Sequence, residues 1–227
     1  MPNLHNIYNL LYNEYGTQNW WPAETFDEII IGAILTQNTN WLNVEKAIKN
    51  LKNKDLCSLK NISTIDVDSL ATFIRPSGYF NQKAKRLIEV SKRLDIELIK
   101  AQDLWSARKS LLSINGIGPE TADSILLYAF EKPIFVIDAY TMRVFTRLGV
   151  VLYKYNYDSF QKYFMNNLEN YVRLFNEFHA LIVRHCKISC MKKPLCDKCC
   201  LKSECKYGEA GAEDSSPTGP SEIGTAI

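Results

Sequence analysis

Long apolar runs are missing from this chain of 227 residues. None approaches the roughly 20 residues that crossing a bilayer takes. The opening "MPNLHNIYNL" lacks the basic-then-apolar order of a secretory signal. Both absences lead us to expect a cytoplasmic protein with no membrane partner. Strict alternation of apolar and polar residues is almost absent too, which argues against a β-sheet protein. No internal repeat or coiled-coil heptad stands out, so a solenoid or a long supercoil is not expected. Basic residues are missing from 208–227, where Glu209, Glu213, Asp214 and Glu222 stand among glycine, serine and proline. That segment is expected to be a disordered tail. Without it, residues 1–207 hold 27 basic against 21 acidic residues, a surplus that suits a polyanionic partner. Cysteine is scarce except in one place: only Cys57 lies outside 186–205, which holds the other six. In a chain without a secretion signal, such a cluster reads as a metal or iron–sulfur site before a disulfide framework.

What remains has helical spacing nearly throughout. Phe26, Ile29, Ile30, Ala33, Ile34 and Gln37 share a face, as do Ala122, Ile125, Leu126 and Ala129, and again Thr141, Val144, Phe145 and Leu148. The short apolar run "PIFVID" at 133–138 reads as a buried connector. We expect an all-α protein of about ten helices in two subdomains flanking a cleft. Residues 25–135 would make the central one, and residues 1–24 with 136–207 the other. Cys57, alone on a helical segment, is expected in the core.

Between two helical segments lies "LLSINGIGPETA", from Leu111 to Ala122. It is not a dinucleotide fingerprint, because no strand precedes it and no third glycine follows at the required offset. Glycine permits close approach of backbone to a ligand, and Pro119 suits a first helical position. The amides at that helix start, at its positive dipole end, can hold a phosphate oxygen. The alternative is a plain helix–helix turn with a glycine cap.

Together, "LLSINGIGPETADSILLYA" and "FVIDAYTMRVFTRLG" resemble the helix–hairpin–helix DNA glycosylases of the endonuclease III superfamily. "SGYFNQKAKRL" at 77–87 and "AILTQNT" at 33–39 resemble two further signatures of that superfamily, in the same order. The resemblance spans about 20–207 and implies a helix–hairpin–helix fold on damaged duplex DNA, acting as a monomer. Asn115, Gly116, Ile117, Gly118 and Thr121 would lie at the DNA backbone, with Lys83 of the second signature. Gln37 would fill the gap left by an extruded base. Asp138 would be the essential carboxylate, although aspartate before a helix is also an ordinary cap.

Members that cut the strand use a lysine two residues after the second hairpin glycine; here that residue is Glu120. A carboxylate cannot form the Schiff base that β-elimination requires. We therefore expect a monofunctional enzyme that leaves an abasic site. Glu120 is either a pocket residue or a charge complementing the helix dipole. Within the superfamily, "WWP" at 20–22, "GAILTQNT", "RPSGYFNQKAKRLIEVS" and "GIGPETADSIL" resemble the 3-methyladenine DNA glycosylase III group. That group stacks an extruded purine between aromatic rings, which implies Trp20 or Trp21 and Trp41. This chain departs from the group at 178–180, where "FHA" is followed by Leu181 instead of a lysine. Uracil/thymine mismatch or oxidised-pyrimidine glycosylases stay open as alternatives. So does a non-catalytic hairpin module that only binds DNA.

The cysteines run Cys190-x5-Cys196-x2-Cys199-x5-Cys205. Four thiolates suit an iron–sulfur cluster or tetrahedral zinc. The resemblance favours a [4Fe–4S] loop, although the superfamily has one more residue in the first gap. Cys186 is a rival for the first ligand and Cys200 for the third.

Overall fold

The computed structural model describes residues 2–18, 20, 23–152 and 154–209. Among them there is no strand, and no helix is long and apolar enough to cross a membrane. The chain forms two compact units: the first ends its opening stretch at Trp20 and resumes at Ile134, and the second occupies the chain between, to Pro133.

Helix α1 (Leu4–Tyr15) opens the first unit. The second unit holds α2 (Phe26–Leu35), α3 (Trp41–Lys52), α4 (Leu59–Ile62), α5 (Val67–Phe73), α6 (Phe80–Arg93), α7 (Ile96–Ala101), α8 (Leu104–Leu112) and α9 (Pro119–Tyr128). The first unit then continues with α10 (Ala139–Arg147), α11 (Tyr157–Asn167), α12 (Val172–Ile188) and the short α13 (Lys206–Glu209). Periodicity predicted about ten helices because α4, α5, α7 and α13 span two turns or fewer, too little for a face to repeat. Gln37 also falls outside its helix, because α2 ends at Leu35 and Thr36 turns its hydroxyl back onto the Gly32 and Ala33 carbonyls. Cys57 lies in a loop and is only half-buried, not in the core. Gly208 and Glu209, expected in the tail, belong to α13; residues 210–227 lie outside the described residues.

Polar caps start most helices. Asn3, Thr25, Asn40, Ser58, Asp66, Asp95, Asp103, Asp138 and Asn156 each accept an amide of the first turn. Two helices begin without a side-chain cap and bear on function: α6 at Tyr79, in the left-handed region at φ 43°, and α9 at Gly118.

In the second unit α2 is buried almost all round, with Ile30, Ile31, Ile34 and Leu35 fully covered. It packs on α3, α6 and α9. In the first unit the connector 134–137 is fully buried, as its composition predicted. Phe135 stacks on Phe164 at 4.0 Å and meets Phe175 and Phe178 edge-on. The connector makes no regular ladder, so side chains satisfy part of its backbone: Gln161 donates to the Phe135 carbonyl at 2.8 Å. This aromatic anchor fixes the start of α10, four residues beyond Phe135.

Candidate active site

The hairpin between α8 and α9 is held at its base by a buried ion pair. Arg108 on α8 donates through Nε and Nη2 to the two oxygens of Asp123 on α9, at 2.7 and 3.2 Å, and Asp123 is wholly buried. At the tip Ile117 is buried while Asn115 and Gly118 are exposed. Gly116 has φ +94°, and a Cβ there would sit 2.6 Å from Cγ of Arg86. Conformation and crowding both require glycine. Gly118 is different: its φ of −90° suits any residue and a Cβ would touch nothing, so only a ligand would need the space. The first turn of α9, with Pro119 at its head and no capping side chain, opens onto a depression of about 360 Å³. Gln37, Arg86, Gly116, Gly118, Glu120 and Thr121 line it. Such a helix start favours an anion.

Gln37 is tied to this hairpin. Its Nε2 donates to the Gly116 carbonyl at 3.1 Å and to the Thr121 hydroxyl at 2.9 Å, and its Oε1 accepts from Arg86 at 2.6 Å. The sequence reading named Gln37 as a gap-filling side chain and Gly116 and Thr121 as backbone contacts without joining them, and gave Arg86 no role. Only the fold puts Arg86 there, three residues beyond Lys83 on α6.

Lys83 is a correction. It was expected at the DNA, but it is 1% exposed, and its ammonium donates to the carbonyls of Leu35 at 2.8 Å and Ser77 at 2.6 Å. The end of α2 leaves carbonyls without partners within the helix, and a buried cation meets that need. Burial, aided by the nearby Arg86 charge, pushes the lysine down to about 8.

In the first unit Asp138 caps α10. Its Oδ1 accepts from the Thr141 amide at 2.7 Å and hydroxyl at 2.8 Å. Oδ2 makes no hydrogen bond and faces Nε2 of the fully buried His179 at 3.5 Å. Burial raises this carboxyl, but His179 and the Thr141 donors outweigh it, and the group is held below the ordinary carboxylate range. A buried aspartate is thus kept anionic. Trp20 and His179 meet at nearly right angles with 6.4 Å between ring centroids, and the indole N–H of Trp20 is buried without a hydrogen-bond partner. Lys187 Nζ lies over the Trp20 ring at 5.7 Å. Trp21 lies outside the described residues. Trp41, in the second unit, starts α3 and donates to Glu45 at 2.7 Å. His179 stands in "FHA" but was given no role, because a lone histidine on the apolar face of α12 does not by itself announce a partner. Leu181, where the related group has a lysine, is core.

Cys190, Cys196, Cys199 and Cys205 line one small apolar cavity beside α10; Cys186 and Cys200 do not line it. Arg147 Nη1 approaches the Cys190 sulfur at 3.2 Å, and His185 Nε2 lies 3.7 Å from that of Cys199. Hydrogen bonding from Cys186 pulls the Cys190 thiol well below its ordinary value. Burial opposes this, and His185 and Arg147 add to it. Among the described residues no three histidine, cysteine or acidic side chains converge on a point fit for one metal ion. Four ligands at about 2.3 Å from a single zinc would have to lie within about 4 Å of one another. A cubane carries each thiolate on its own iron and spreads the four wider, and Cys190, Cys196, Cys199 and Cys205 around one cavity, with Arg147 beside the Cys190 sulfur, could hold such a group.

Residues 31–170 match the model of the HhH-GPD superfamily base excision DNA repair proteins. A provisionally named DNA repair glycosylase of Methanocaldococcus jannaschii is 51% identical over 209 residues, covering 89% of this chain and 95% of that one. Endonuclease III of Sulfolobus acidocaldarius is 31% identical over 182 residues, covering 78% of this chain and 80% of its own length. The H. pylori 3-methyladenine DNA glycosylase, solved with 1,N6-ethenoadenine bound, superposes with a TM-score of 0.71 at 33% identity, covering 82% of this chain and 98% of that one.

Proposed function

The chain belongs to the HhH-GPD superfamily and is a DNA glycosylase of base excision repair; we propose that it is monofunctional and removes an alkylated purine such as 3-methyladenine from duplex DNA. One observation carries this reading. Asp138 is a buried carboxylate whose Oδ2 makes no hydrogen bond and faces His179 at 3.5 Å, while position 120, where a strand-cutting relative has its amine, holds a carboxylate.

Cleavage of the glycosidic bond builds positive charge on the sugar, and a fixed buried anion stabilises that charge without reorganising. Oδ1 is spent on the helix cap, so Oδ2 is the oxygen that serves the sugar or orients the attacking water. An alkylated purine is already cationic and leaves without a general acid. The face of Trp20 already takes a cation, Lys187, which supports its taking a cationic base, at about 1 kcal/mol or more when desolvated. The hairpin amides at Asn115–Gly118, with the start of α9, would hold a backbone phosphate, and Gln37 would enter the gap left by the base. Cys190, Cys196, Cys199 and Cys205 would hold a [4Fe–4S] cluster. Hydrolysis needs no redox step, so the cluster would staple the loop bearing Lys192, Lys193 and Lys198.

The test is a panel of duplexes carrying methylated purines, hypoxanthine, uracil or thymine opposite guanine, and thymine glycol, each incubated with and without alkali. We expect release of methylated purine, strand cutting only after alkali, and no borohydride-trapped adduct. A trapped adduct, or preference for thymine glycol, establishes the endonuclease III-like reading instead.

A further inference from the structure

We propose that Arg86 is a positioning residue that presets Gln37 against the hairpin before a base is extruded; this rests on the reading of Gln37 as the gap-filling side chain. A guanidinium only donates. Its 2.6 Å contact therefore assigns the oxygen of the Gln37 amide to Arg86 and leaves both amide protons for the Gly116 carbonyl and the Thr121 hydroxyl. No other orientation of that amide satisfies all three partners. The stem of Arg86 also lies on Gly116, where a Cβ would meet its Cγ at 2.6 Å. One side chain on α6 thus joins the residue just past α2 to the loop that would hold the phosphate. Lys83, three residues earlier on the same helix, fixes the end of α2 itself through the Leu35 carbonyl. Gln37 hangs on a turn that begins at Thr36, with Asn38 in the left-handed region at φ 54°. Without Arg86 its amide could flip and its three torsions would be free. Ordering them would then fall on the extrusion step.

Arg86→Met keeps the stem over Gly116 and removes the donor. Single-turnover release is measured for the base that the protein excises best, placed either opposite its pairing partner or opposite an abasic site. In the second duplex extrusion costs less and the gap-filling contact matters less. We expect release from the paired duplex to slow about tenfold, the scale of one hydrogen bond to a charged donor. Release from the unpaired duplex should slow less than about twofold. In a Gln37→Ala background, Arg86→Met should add nothing. Equal losses on both duplexes, no loss on either, or a loss that persists with Gln37→Ala overturns the proposal. A fall of about one in the slope of log affinity against log salt makes Arg86 a phosphate ligand and overturns it too. If Gln37→Ala alone leaves the paired duplex unaffected, the gap-filling reading fails. If wild-type protein releases no base from any duplex, the substrate reading fails.

Discussion

Replacing Asp138 by asparagine separates its two jobs, because the structure assigns them to different oxygens. Asparagine keeps an Oδ1 able to accept from the Thr141 amide and hydroxyl, now at 2.7 and 2.8 Å. As a helix cap asparagine is about as good as aspartate. What disappears is the negative charge beside the α10 dipole and opposite His179. The first is worth about 0.3–1 kcal/mol, which in a protein of this size moves the melting temperature by about 1–4 °C. The loss in chemistry is larger. Removing one preorganised group from a water-excluded site typically costs about 10²–10³ in rate, and Asp138 is 1% exposed. We therefore expect single-turnover base release to fall at least about a hundredfold, with DNA affinity and fold preserved. Asp138→Ala, which also loses the cap, should cost about 1 kcal/mol of stability besides. The assay is base release from a methylated duplex, beside thermal unfolding and DNA binding of the same preparations. Release by Asp138→Asn within about threefold of wild type would refute the catalytic role. A melting point lowered by more than about 10 °C would show that the charge serves chiefly to hold the fold.

Two further predictions follow from buried groups elsewhere. The Lys83 amine is held at about 8 against 10.5 when unfolded, so between those values the unfolded chain binds more protons and stability must rise with pH. Chemical unfolding of wild type and Lys83→Met from pH 7.5 to 10.5 should show wild type gaining on the order of 3 kcal/mol relative to the variant; a flat difference refutes the burial argument. For the cysteines, Cys196→Ser should abolish visible absorbance and bound iron with acid-labile sulfide, while Cys200→Ser retains both, because Cys196 lines the cavity and Cys200 does not. The reverse result, or zinc in place of iron, refutes the ligand set.

The sequence by itself determined the helical class, the hairpin with its glycine tip, and the capping place of Asp138. Each is a local matter of apolar period, backbone freedom and the chemistry of a helix start. It also determined that position 120 holds no amine, which no fold can alter. Tertiary structure decided what depends on separations along the chain. Lys83 matched a DNA-binding signature, yet the buried end of α2 claims it, because the Leu35 carbonyl 48 residues earlier in the chain needs a donor. His179 and Arg86 stand inside quoted motifs, but nothing in those motifs gives either a role. They become significant because α12 brings one within 3.5 Å of Asp138 and α6 brings the other within 2.6 Å of Gln37. Six neighbouring cysteines left Cys186 open against Cys190 and Cys200 against Cys199; Cys190, Cys196, Cys199 and Cys205 are the four that line the cavity beside α10, and only folding fixes which way each sulfur points.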